Sequence, residues 1–185
     1  ISSDIRQAAA EVGCEYENFF ICVGRLHFQK GYDRLLTIAA QARRSVPDLK
    51  IVVLGEGPDR DVLQSRIKEL GLTATVILHG NAVNPYKYMA RAKALLMTSR
   101  WEGLPTVLVE ASELAVPIIS FDCRYGPAEV TDNGTYGVLI ANGDDNGFAR
   151  AIVRVAQGFT PSIPDVTSYR YDAAARQYME LFING

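Results

Sequence analysis

No stretch of this sequence approaches the ~20 consecutive apolar residues that a membrane-spanning helix needs, so no ordinary transmembrane helix is encoded. There is no basic excess either. Lys and Arg number 19 against 21 Asp and Glu, for a net charge of -2, which leaves only local basic patches as an argument for a nucleic-acid partner. Cysteines are scarce: Cys14, Cys22 and Cys123 form an odd set with no ligand-like spacing. They read as reduced thiols in or beside apolar runs of a cytosolic protein, not as a disulfide framework. The N-terminus lacks the basic start and apolar core of a signal peptide, and it does not begin with Met. A chain starting at Ile1 is therefore expected to be a piece of a longer protein. Internal repeats and low-complexity tracts are absent.

What is present is enough for one domain. The chain has 185 residues, 48% apolar and 22% charged, the balance of a soluble fold with a full core. Apolar runs of strand length alternate with stretches of helical period. The strand candidates are 19–23, 50–54, 76–79, 94–98, 117–121 and 136–140. Between them, helices are predicted over 32–46, from Pro58 to Leu70 with Val62, Leu63, Ile67 and Leu70 buried, over 86–92, 106–114 and 146–157. The strands are apolar throughout instead of alternating, which marks a parallel sheet covered on both faces. Together these elements predict an α/β fold, a Rossmann-like doubly wound parallel sheet of about six strands. The sequence divides into a linker region over 1–18, the Rossmann-like domain over 19–160, and a tail over 161–185 with a last helix over 170–182.

Sheets of this kind bind ligands at the carboxyl ends of their strands, and two loops there carry unusual chemistry. The first runs from Gly24 to Gly31, directly after the first strand, and places Arg25 and Lys30 at the sheet edge. Gly24 lets a ligand approach the backbone closely, and two cations beside a helix start suit a diphosphate. The second runs from Thr98 to Glu110 and holds two carboxylates, Glu102 and Glu110, separated by seven residues. Pro105 marks the helix start, so the N–H groups of Thr106 and Val107 are expected to point at an anion. Carboxylates accept hydrogen bonds from sugar hydroxyls, so the pair suits a nucleotide sugar, one acid near the hexose and one near the ribose. An acidic helix start favoured by the macrodipole explains Glu102 but not Glu110, which sits among apolar neighbours.

Other residues read more plainly. His79 is a strand-end residue and His27 a loop filler. Trp101 either stacks on a ligand or covers its loop, and Glu129 is either a helix-start acid or a functional one. Asp59 and Asp61 spell an acid-x-acid pattern used elsewhere for manganese, but two residues apart in a first helical turn they diverge. No metal or other cofactor is expected.

The arginine-lysine loop, the Gly-x-Gly-Pro turn at 55–58, the strand ending in His79-Gly80 and the Glu-Gly-Leu-Pro segment at 102–105 occur in this order. As a set they resemble family 4 (group 1) of retaining, nucleotide-sugar-dependent glycosyltransferases with the GT-B fold, over about residues 19–157. The loop 122–129 lacks the paired glycine of many relatives and looks like transferases of bacterial surface polysaccharides and lipid-linked glycans. The resemblance implies the C-terminal, donor-binding half of such an enzyme. It would transfer a hexose or N-acetylhexosamine, with UDP as the first guess for the nucleotide. It would act on a glycan or lipid-linked acceptor held by a missing N-terminal domain. It implies that Gly24, Arg25 and Lys30 meet the diphosphate, with Gly103, Leu104, Thr106 and Val107 as the phosphate-facing backbone. Glu102 would contact the donor sugar, Glu110 the ribose, and Val83 the base. Glu102, Arg25 and Lys30 would then serve catalysis. A cytoplasmic enzyme is expected, with peripheral association at the inner face of the cell membrane. A sugar-nucleotide epimerase, a phosphorylase or a non-catalytic nucleotide-binding domain remain the alternatives.

Overall fold

A computed structural model describes residues 2–163, and the helix expected over 170–182 lies outside them. The element order is α1 (Ser2–Ala9), β1 (Phe20–Val23), α2 (Tyr32–Ala42), β2 (Ile51–Leu54), α3 (Arg60–Glu69), β3 (Val76–Gly80), α4 (Tyr86–Met89), β4 (Leu95–Met97), α5 (Thr106–Glu113), β5 (Ile118–Asp122), α6 (Pro127–Val130), β6 (Val138–Ala141) and α7 (Asp145–Ala156). The six strands form one sheet in the order β3-β2-β1-β4-β5-β6. Every pairing is parallel. The order reverses between β1 and β4, which places the topological switch point where their carboxyl ends diverge.

Successive residues of one strand feed opposite faces, and both faces are apolar because both are covered. In β1, Phe20 and Cys22 join one buried cluster with Leu35, Ile67 and Ile152 from α2, α3 and α7. Phe19 and Ile21 join the other with Met89 and Leu108 from α4 and α5. Burial pushes the Cys22 thiol far above its usual range, as expected of an inert core cysteine.

Four departures from the sequence reading are local. Ser2–Ala9 is a helix inside the segment expected to be a linker. Its Ile5 is buried, and Asn84 and Arg91 donate to the carbonyls of Ala8 and Ala9 near its end. Helix α3 starts at Arg60, not at Pro58: the Leu63 N–H donates to the carbonyl of Asp59, the residue before the helix, whose own N–H goes to the Leu26 carbonyl from the loop after β1. Val62 is 70% exposed, since it stands about 100° around the helix from Leu63, and only Leu63 and Ile67 of α3 are buried. The short helix α6 fills a segment read as loop.

Candidate active site

The loops after β1 and β4 are far apart in sequence but meet at the switch point. Gly31 ends a single 3₁₀ turn, Phe28–Lys30, in the left-handed region at φ 67°. A side chain there would collide with the Thr98 carbonyl at the end of β4, so the close approach of the two loops requires glycine. The Thr98 hydroxyl donates to the Lys30 carbonyl (3.0 Å), and the Arg100 N–H donates to the Gln29 carbonyl (2.7 Å). Arg100 completes the seam, gripping both Asp33 carboxylate oxygens at 2.8 and 2.7 Å and stacking 3.8 Å from the centre of the Phe28 ring. Its guanidinium holds the Asp33 carboxyl below the ordinary range, hydrogen bonding outweighing partial burial.

This seam carries two of the predicted site residues into contact. Lys30 Nζ lies 2.8 Å from Glu102 Oε1, in an ion pair whose acid side chain is only 7% exposed. The same oxygen accepts from the Ser99 hydroxyl at 2.6 Å. The Glu102 backbone N–H reaches the Arg124 carbonyl (3.2 Å), which ties in the loop after β5. Below the carboxylate, Tyr32 is buried and donates to the Gly24 carbonyl at 3.2 Å. Burial raises its hydroxyl well above the usual range, with Cys22 and Glu102 adding repulsion. Burial first, and Glu102 second, raise the Cys123 thiol to about 11.

On the other side of β1, the site opens. An open cleft of about 420 Å³ is lined by Val23, Gly24 and Arg25 after β1, by Leu54, Gly55 and Glu56 after β2, and by Asn81, Ala82 and Pro85 after β3. Arg25 is exposed and forms no ion pair among the described residues, whereas Arg60 in α3 is paired with Glu56 at 2.6 Å. Gly55 lies so near the Gly24 carbonyl that a side chain on it would overlap that oxygen. Two stretches of bare backbone thus form the cleft floor.

The remaining predicted residues are placed as follows. Glu110 is half-buried on α5, close enough to raise the Tyr86 hydroxyl electrostatically, and burial raises its own carboxyl. Gly103 and Leu104 are exposed at the mouth of α5. The expectation of two free N–H groups at that helix start needs correction. The Thr106 N–H is consumed by the Leu104 carbonyl at 2.9 Å, because Pro105 (φ -77°, ψ 83°) turns the chain back on itself. Among the described residues only the Val107 N–H of the two lacks a backbone acceptor. Val83 is fully exposed between β3 and α4, while its neighbours Asn81 and Ala82 line the cleft. His79 is held in an aromatic group, its Nδ1 at 2.8 Å from the Tyr16 hydroxyl and its ring 5.0 Å from that of Tyr88. Ser99 was not singled out from the sequence. A lone serine before a glutamate is unremarkable until the fold aims its hydroxyl at the carboxylate. No group of three or more His, Cys, Asp or Glu side chains converges among the described residues.

Comparison with known proteins places this geometry. Residues 5–158 match the family described as glycosyl transferases group 1. An N-acetylgalactosamine-N,N'-diacetylbacillosaminyl-diphospho-undecaprenol 4-alpha-N-acetylgalactosaminyltransferase of Campylobacter jejuni is 36% identical over 80% of this chain and 40% of its own length. A lipopolysaccharide 1,6-galactosyltransferase of Salmonella typhimurium is 32% identical over 75% of this chain and 40% of its own length. The chain thus spans less than half the length of these curated relatives. Among solved structures, the apo lipopolysaccharide outer core galactosyltransferase WaaB superposes with a TM-score of 0.77 at 26% identity, covering 95% of this chain and 52% of that one. The pneumococcal O-GlcNAc transferase GtfA, in complex with UDP and GlcNAc, gives a TM-score of 0.68 at 25% identity, over 75% of this chain and 28% of that one. The six-stranded parallel sheet, its switch-point loops and the matched family model agree, and the chain belongs to the group 1 glycosyl transferases.

Proposed function

We propose that this chain is the donor-binding half of a retaining glycosyltransferase. It binds a UDP-linked hexose or N-acetylhexosamine for transfer to a glycan or lipid-linked acceptor. The observation that carries the reading is the junction of the Lys30–Glu102 pair, at 2.8 Å, with the open cleft beside Arg25 at one sheet edge. The diphosphate lies across β1, where Arg25, Lys30 and the Val107 N–H stabilise the charge that builds on it as the sugar leaves. Glu102 accepts from hydroxyls of the transferred sugar, and Glu110 from the ribose. Galactosyl and N-acetylgalactosaminyl transfer by the two curated relatives, and UDP in the GtfA structure, support the choice of donor. The relatives are more than twice as long as the matched span, which supports an acceptor wall built by a further domain. The enzyme then works in the cytoplasm, against the inner face of the membrane where lipid-linked acceptors reside.

Calorimetry with UDP and GDP in the presence of EDTA tests the donor site. Metal-free UDP binding is expected, and binding only on addition of manganese would overturn the assignment of the diphosphate to Arg25 and Lys30. Without an acceptor wall, the effective-molarity gain of ~7–11 kcal/mol is unavailable. These 185 residues alone are therefore expected to transfer no sugar from labelled sugar nucleotides to candidate acceptors.

A further inference from the structure

We infer that Ser99 is a positioning residue that holds the Glu102 carboxylate toward the transferred sugar while Lys30 is engaged by the diphosphate. The inference rests on the proposed role of Glu102. In the free protein both donors converge on one oxygen: Lys30 Nζ at 2.8 Å and Ser99 Oγ at 2.6 Å from Oε1. Among the described residues nothing donates to Oε2, so that oxygen is left for a ligand hydroxyl.

The two donors differ in what a donor nucleotide does to them. Lys30 carries a charge on a flexible four-carbon stem, and a diphosphate beside Arg25 competes for it. Ser99 is 1% exposed and follows Thr98, whose hydroxyl is fixed to the Lys30 carbonyl, so its own position is set by the strand end. A neutral hydroxyl has little to offer a phosphate compared with the two cations. When the diphosphate draws Lys30 away, Ser99 is the contact that keeps Glu102 from turning. Its hydroxyl has one proton to donate, and at 2.6 Å that proton is aimed at Oε1.

The test uses the chain as it stands and reads the increment in affinity that the sugar adds. UDP, UDP-galactose and UDP-N-acetylglucosamine are titrated calorimetrically into the wild type, Glu102→Gln, Ser99→Ala and Ser99→Thr, with a thermal melt of each variant. Glu102→Gln is expected to erase the preference of the wild type for a sugar nucleotide over UDP. Ser99→Ala is expected to cut that preference roughly tenfold, the worth of a hydrogen bond to a charged group, with UDP affinity within about twofold of wild type. Ser99→Thr, which keeps the hydroxyl, should restore it. If Glu102→Gln erases the preference and Ser99→Ala leaves it intact, the positioning role is wrong and the Glu102 assignment stands. If Glu102→Gln leaves the preference intact, the Glu102 assignment fails and this role falls with it. A Ser99→Ala protein that loses UDP together with the sugar nucleotides shows a serine needed only for folding, which also overturns the inference.

Discussion

The carboxyl edge of the sheet has two halves built by different means. On the β1–β4 side, loops from distant parts of the sequence are joined largely by side chains: Lys30 to Glu102, Arg100 to Asp33, Thr98 to the Lys30 carbonyl. On the β1–β2–β3 side, the loops meet through backbone, Gly55 against the Gly24 carbonyl, and leave an open cleft. On the function proposed above, the difference suits two tasks. A group at which charge develops must be fixed before the reaction, since reorganisation would add to the barrier. A nucleotide must enter and leave, and bare backbone gives it room without side chains to displace.

The comparison predicts different failures in the two halves. The largest effect belongs to the joined side. In a longer protein that carries the proposed acceptor domain, Glu102→Gln is expected to lower kcat by roughly 10²–10³-fold, the usual cost of a lost preorganised electrostatic contact. Steady-state kinetics at saturating donor measure it. A variant that keeps kcat would remove the chemical distinction between the halves.

The open side should fail first by folding. Gly55→Ala puts a Cβ onto the Gly24 oxygen at φ 141°, and about 2–3 kcal/mol of stability should be lost. Urea denaturation of the chain reads this directly. An unchanged midpoint would mean that the two loops can separate freely.

Glu110 lies between the two cases, because burial raises its carboxyl and no ion pair among the described residues offsets it. A raised folded-state value stabilises the fold below 4.5, and that contribution is lost as pH rises through the folded value. Glu110→Gln should therefore melt higher than wild type at neutral pH, and the gap should close on acidification below 4.5. The same variant should bind UDP about tenfold more weakly, through the proposed ribose contact, with kcat preserved in a longer protein that carries the proposed acceptor domain. Unchanged donor affinity would leave the cost of burying this acid without a return in binding.

The smallest effect tests the seam itself. Arg100→Ala removes a two-pronged but partly exposed pair with Asp33 and should cost about 1 kcal/mol. Because Arg100 depresses the Asp33 carboxyl, the contribution is present above 3.8 and lost as pH falls through the lower folded value. Melting curves of wild type and variant should converge in strong acid. If they stay apart there, the Phe28 stack, not the ion pair, holds the loop.

The sequence by itself determined the class of this fold and supplied the residues proposed for its site. Apolar strand runs separated by helical period leave few architectures besides a covered parallel sheet, because burial on both faces demands apolar residues at most strand positions. Motif order then singled out Arg25, Lys30, Glu102 and Glu110. Local detail was less legible: α1 is too short for its period to stand out, and the residue before α3 is anchored by a hydrogen bond from the Asp59 N–H to the Leu26 carbonyl, more than thirty residues upstream. The use of the Thr106 N–H by Leu104 depended on the dihedrals of Pro105, which composition does not encode. Only the tertiary structure decided which site residues touch. Parallel strands bring loops some 70 residues apart to one edge, so the joining of Lys30 to Glu102 arises from strand order, while Ser99, three residues before Glu102, reaches it within one loop.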